Sequence, residues 1–231
     1  MKIHLISSPP FGDDFWRGVQ NRLAYHGHDV QIHSPIEHAA SIREACIFLK
    51  NHVQPQDVLV AHGLGVPLAL QYASENPINH AILSNGPIEN LDPISASFAK
   101  LPSLLQKIYL HPTICFRYFQ SSLGMRRAVV NPYVMDKEMV ASACAPLTKG
   151  QTRSHMIQYL KEISSFSPPA SIQSSILAIW GDHDLLYPIS ISMEIQNRYP
   201  QTTRLDIEGG KLLHPIERPW AMADIMHTHL S

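Results

Sequence analysis

A chain of 231 residues that is 45% hydrophobic and 16% charged can bury a sizeable core, and its length suits one large α/β domain or a domain carrying an insertion. A formal net charge of -1 gives no electrostatic reason to bind nucleic acid or an anionic membrane. No apolar run is long enough to span a bilayer. Cys46, Cys115 and Cys144 are odd in number and widely spaced, with neither a disulfide framework nor metal-type spacing. With a first strand that starts at Lys2 and no leader-type apolar stretch before it, the expectation is a soluble, cytoplasmic protein.

In chain order, Lys2 to Ile6 reads as a short buried strand, ended by Ser7-Ser8-Pro9-Pro10. Phe15, Val19 and Leu23 at i, i+4, i+8 predict a helix over 15–26, with Gly27 where a helix C-terminal glycine belongs. Asp29 to His33 is a second strand, Ser41 to His52 a helix, Asp57 to Ala61 a third strand, Val66 to Glu75 a helix and Ala81 to Ser84 a fourth strand. This alternation predicts a parallel sheet with helices on both faces. From 87 to 169 the periodicity is helical throughout: 94–110, 114–122, 125–130, 136–145 and 152–163, broken by Pro102, Pro112, Pro132 and Pro146. Strands return at Ile176 to Trp180 and Thr203 to Ile207, with helices at 189–198 and 220–229. The expected organisation is a core of residues 1–86 and 170–231, with a helical lid inserted at 87–169.

Three local patterns carry the chemistry. The first is Asp57-Val58-Leu59-Val60-Ala61-His62-Gly63-Leu64-Gly65-Val66, a buried strand, a sharp turn and a helix. The second is Gly181-Asp182-His183-Asp184-Leu185-Leu186-Tyr187-Pro188, directly after an apolar strand. The third is Gly209-Gly210-Lys211-Leu212-Leu213-His214-Pro215-Ile216-Glu217-Arg218-Pro219, after the last strand. Together they resemble the nucleophile elbow, acid turn and histidine loop of the α/β-hydrolase superfamily, in its small, lid-bearing esterase/lipase-like branch, and they stand in that family's chain order. The resemblance covers nearly the whole chain, the 87–169 segment matching only in character.

The resemblance implies an α/β-hydrolase fold with Asp184 orienting His214 as the base, Asp182 being the alternative acid. At the elbow it departs from the family, because Gly63 stands where the nucleophilic serine belongs. A residue without a side chain cannot be acylated. Glycine adopts the positive φ of an elbow tip at little cost, so the fold is expected to survive the exchange. A second departure concerns the oxyanion hole, which the resemblance builds from the Leu64 N–H and one N–H of the 7–16 loop. The match puts Pro9, which has no N–H, at the second donor position, unless Phe11 or Gly12 donates instead. Pro9, Pro10, Phe11, His62 and Leu64 are the candidate binding residues around the cleft.

Three functions fit. The leading one is a non-hydrolytic protein that binds a small apolar or acyl-type molecule, or a protein partner, in the lid-covered cleft. Another is a cofactor-free enzyme using a His214–Asp184 dyad for proton abstraction, of lyase or dioxygenase type. The last is a carboxylic-ester or thioester hydrolase in which Gly63 replaces the serine. Ser84, Ser7 and Ser8 lie at neighbouring strand ends and are the candidate substitute nucleophiles, with capping of backbone groups as their ordinary role. His62, His183 and His214 share no metal-type spacing, so no metal or other cofactor is expected.

Overall fold

The computed structural model describes residues 1–7, 10–121, 124, 128–134 and 136–231. Six strands form one parallel sheet: β1 (Lys2–Ile6), β2 (Asp29–His33), β3 (Val58–His62), β4 (His80–Ser84), β5 (Ser175–Gly181) and β6 (Thr202–Ile207). Their spatial order is β2-β1-β3-β4-β5-β6. Each central strand buries both faces, as an all-parallel sheet covered by crossover helices requires. On β3, Leu59 and Ala61 enter the core on one face while Val58 and Val60 enter the core on the other. On β5, Ile176, Ala178 and Trp180 alternate in the same way with Leu177 and Ile179.

Helices α1 (Arg17–Tyr25) and α11 (Pro219–Leu230) cover the Val58/Val60 face through Val19, Leu23, Met222 and Met226. Helices α2 (Ile42–Lys50), α3 (Val66–Glu75) and α9 (Ser190–Arg198) cover the other. The predicted helix from Phe15 begins as a tighter turn, Asp13–Trp16, before α1. There the buried Trp16 indole N–H donates to the Ile6 carbonyl at 2.8 Å, fixing the loop to the end of β1. Ser41 caps α2, its Oγ accepting from the Glu44 N–H at 3.1 Å.

Between β4 and β5 the described residues form helices and no strand: α4 (Pro93–Ala99), α5 (Ser103–Tyr109), α6 (Pro112–Gln120), α7 (Lys137–Cys144) and α8 (Gly150–Ile163). The 94–110 periodicity is divided at Pro102, which excludes helical backbone from the residue before it. The predicted 125–130 helix lies largely outside the described residues. Helix α7 sends Val140, Ala143 and Cys144 into one core, and α8 sends Ile157, Tyr159, Leu160 and Ile163 into the other. The segment thus packs into both cores, and its Tyr118, Phe119 and Ala128 lie beside His62 and Gly63 at the end of β3. Among the described residues no helix is long and apolar enough to cross a membrane.

Candidate ligand-binding site

At the carboxyl end of β3 the chain turns at Gly63 with φ +55° and enters α3 through the short turn Gly63–Gly65. This left-handed conformation is the one the sequence demanded of the elbow, and glycine adopts it without strain. The Leu64 carbonyl is held from the far side by the buried Tyr159 hydroxyl at 2.8 Å. Gly63, Leu64 and His62 line a cavity of about 150 Å³ together with Pro10, Phe11 and Phe119. The expected binding residues Pro10, Phe11, His62 and Leu64 thus meet at one place, while Pro9 and Ser8 lie outside the described residues.

His214 opens the short helix α10 (His214–Glu217), which the sequence reads as part of a loop, and is fully buried. Its ring does not meet the acid that the sequence assigns to it. His214 Nδ1 lies 3.1 Å from the Lys211 carbonyl, which can only accept, so Nδ1 carries the proton. Its Nε2 lies 3.1 Å from Ser84 Oγ. Burial pushes the imidazole down to about 4, with the Lys211 carbonyl opposing that shift, so the ring is neutral at neutral pH.

Asp184 is committed elsewhere. Its Oδ1 accepts from the N–H groups of Leu186 at 2.8 Å and Tyr187 at 3.2 Å. Its Oδ2 accepts from Asn85 Nδ2 at 2.6 Å. Burial nonetheless lifts its carboxyl to about 6, the three hydrogen bonds pulling the other way. The expected Asp184–His214 hydrogen bond is not made; the carboxylate is instead held by the turn's own main chain and by Asn85, while His214 turns its two ring nitrogens to Lys211 and Ser84. Asp182 makes no such bond either; its Oδ1 is buried and without a partner among the described residues.

Two residues prove central to this packing, one that the sequence reading passed over and one that it offered as a substitute nucleophile. Asn85 has φ +30°, a conformation asparagine tolerates better than most residues. Its side chain also accepts from the Gly181 N–H at 2.8 Å, so it ties the end of β4 to β5 and to the Asp184 turn. The Asn85-Gly86 pair, a turn signal after an apolar strand, was the cue for it. Asn85→Ala should lower stability by roughly 2–4 kcal/mol, since it strands a buried carboxylate oxygen and a buried N–H; urea unfolding measures it.

The other is Ser84. Parallel pairing sets His62 opposite Ser84 at the ends of β3 and β4, with both side chains on the Val60/Ile82 face. Ser84 Oγ lies 3.2 Å from His62 Nδ1. The hydroxyl thus sits between two imidazoles, whose rings meet edge to face at 5.7 Å. Ser7 is not part of this cluster, its Oγ donating to Asp13 at 3.1 Å. His183 is exposed on the acid turn.

By sequence, no family model and no curated protein matches the chain. By structure it is similar to an esterase from Thermogutta terrifontis (TM-score 0.73, 13% identity, 100% of this chain and 89% of that one). It is similar also to a bromoperoxidase from Bacillus anthracis (TM-score 0.75, 13% identity, 99% and 91% of the chains). An epoxide hydrolase from Vigna radiata matches with TM-score 0.74 and 14% identity, over 99% of this chain and 91% of that one. With its parallel sheet, its elbow turn and these matches along its whole length, the chain has the α/β-hydrolase fold.

Proposed function

We propose that this protein binds a small, largely apolar molecule in the cavity over Gly63 and does not hydrolyse it. The observation that carries this reading is the engagement of His214. The imidazole that the fold would use as a base is fully buried, its Nε2 is taken by Ser84 and its Nδ1 faces a carbonyl instead of a carboxylate. With no side chain at Gly63, neither nucleophile nor activated base reaches the cavity from the elbow. Proton abstraction by a His214–Asp184 dyad is disfavoured by the same geometry. An apolar cavity of about 150 Å³ holds a molecule the size of benzene, so a single ring or a short acyl chain fits.

Toluene at ten times its dissociation constant should raise the melting temperature by roughly 3–5 °C, about 1.4 kcal/mol in a chain of this size. Gly63→Ser should yield no measurable turnover of p-nitrophenyl acetate, because the new hydroxyl finds His214 already occupied. A restored esterase in that variant, or no response to any small arene or acyl compound, would defeat the proposal.

The 3.1 Å contact between Ser84 and His214 supports a second reading, a hydrolase with Ser84 as nucleophile. Against it, Ser84 is completely buried and its oxygen also faces His62. A fluorophosphonate probe decides between them: labelling of Ser84, lost in Ser84→Ala, favours the hydrolase.

A further inference from the structure

We propose that helices α5 and α6 dock on an anionic lipid surface. The net charge of -1 averages over an asymmetry along the chain. From 93 to 135 the sequence holds Lys100, Lys107, Arg117, Arg126 and Arg127 and no Asp or Glu. All nineteen acidic side chains therefore lie elsewhere, against thirteen basic ones. The same stretch carries much of the exposed apolar surface. Of the sixteen large hydrophobic side chains exposed among the described residues, nine fall between 94 and 133. An exposed apolar patch rimmed by charge marks an interaction site.

Packing fixes which way both helices face. On α5 the Gln106 amide donates to the Phe98 and Ala99 carbonyls at 3.0 and 3.1 Å, and Leu110, one turn on, is buried. That turns Leu104 and Ile108, one turn apart, outward on one arc with Leu105 and Tyr109. Their exposures run from 41% at Leu105 to 72% at Leu104, and the exposed Lys107 flanks them. Helix α6 packs against α5 and repeats the arrangement. Its Cys115, Phe116 and Phe119 pack on the core, Ile114 and Tyr118 are exposed one turn apart, and the exposed Arg117 stands beside them. Such a surface suits a membrane interface, where aliphatic side chains enter the acyl boundary while lysine and arginine reach the phosphates along their stems. A second copy of this chain fits poorly, because pairing the face with itself sets like charges together. A nucleic acid would meet the cations but leave the aliphatic arc in water. Ile94 and Tyr118, both exposed in this stretch, also line the cavity over Gly63. An apolar molecule dissolved in the bilayer would reach that cavity without crossing water, although the docking does not depend on what the cavity holds.

Flotation of the full chain with lipid vesicles tests this. Binding to equimolar phosphatidylserine and phosphatidylcholine is expected to be about a hundredfold tighter than to phosphatidylcholine alone. Lys107→Glu combined with Arg117→Glu should erase that preference, whereas Lys50→Glu, an exposed charge on α2, should leave it intact. Leu104→Ser combined with Ile108→Ser should weaken binding to the mixed vesicles about tenfold. All these side chains are exposed, so each variant should melt with the parent protein. Absence of binding to the mixed vesicles overturns the proposal. So does binding that the serine pair leaves unchanged, which is electrostatic adhesion only. A loss in Lys50→Glu as large as in the double glutamate variant overturns it too. A protein that ignores vesicles but forms a concentration-dependent dimer, dissociated by the serine pair, would give the face to a second copy instead.

Discussion

Stability against urea will fall by on the order of 3 kcal/mol between pH 7 and pH 4.5. The cause is a set of histidines folded in their neutral form. Burial is the first cause in every one: it pushes His33 and His214 down to about 4 and also lowers His4, His28, His62 and His80. An unfolded imidazole takes up its proton near 6.5, so between that value and about 4 the unfolded chain binds more protons than the native one. Stability present above pH 6.5 is therefore lost as the pH drops through the window. Asp184 works in the opposite direction. Its carboxyl, lifted to about 6 by burial, takes up a proton in the folded state before the unfolded chain does, which adds stability as pH falls from about 6 toward 3.8. One carboxyl does not offset His33 and His214 together, so the net slope is toward acid unfolding. The geometry shows why the histidines resist charging. His4 Nδ1 lies 2.9 Å from His33 Nε2 inside the core, and two cations cannot share that contact. The Asp57 carboxylate, 3.2 Å from His4 Nε2, favours a proton on that ring but does not outweigh burial. Equal or greater stability at pH 4.5 than at pH 7 would refute this account.

Gly86→Ala should cost more than about 4 kcal/mol or prevent folding altogether. A Cβ at residue 86 would stand 2.1 Å from the Gly63 carbonyl oxygen, 2.9 Å from the Gly63 carbonyl carbon and 2.6 Å from Val66 Cγ2. Two of those atoms are main chain, so relief requires the elbow itself to move and with it the cavity wall. Gly27→Ala is the matching control. Gly27 has φ +86° and open space around it, so only the strained backbone is felt, about 1–2 kcal/mol. Urea unfolding of the two variants separates steric clash from conformational preference. A Gly86→Ala protein within 1 kcal/mol of the parent would mean that the end of β4 yields more easily than this packing allows.

Much of the architecture was legible from local pattern. Alternating buried strands and amphipathic helices give the parallel sheet because each strand with period two and each helix with period 3.6 has to bury its own apolar side. The elbow was legible for the same local reason: the apolar run into Gly63, the following Gly65 and the helix beyond it are contiguous in the chain, and Gly63 indeed turns with positive φ. That the tip is a glycine, with no side chain, is read from the sequence alone.

What the sequence could not decide was which side chain each polar group would meet. Asp184 and His214 stand in the right chain order, yet hydrogen-bond partners are set by distances of a few ångströms between segments far apart in sequence. Asn85, 99 residues before Asp184, takes the carboxylate, and Ser84, 130 residues before His214, takes the imidazole. Ser84 reaches that ring only because strand register sets it beside His62 on one face of the sheet. Register is a property of two strands paired through space, and a slip of one residue would have turned both side chains to the opposite face.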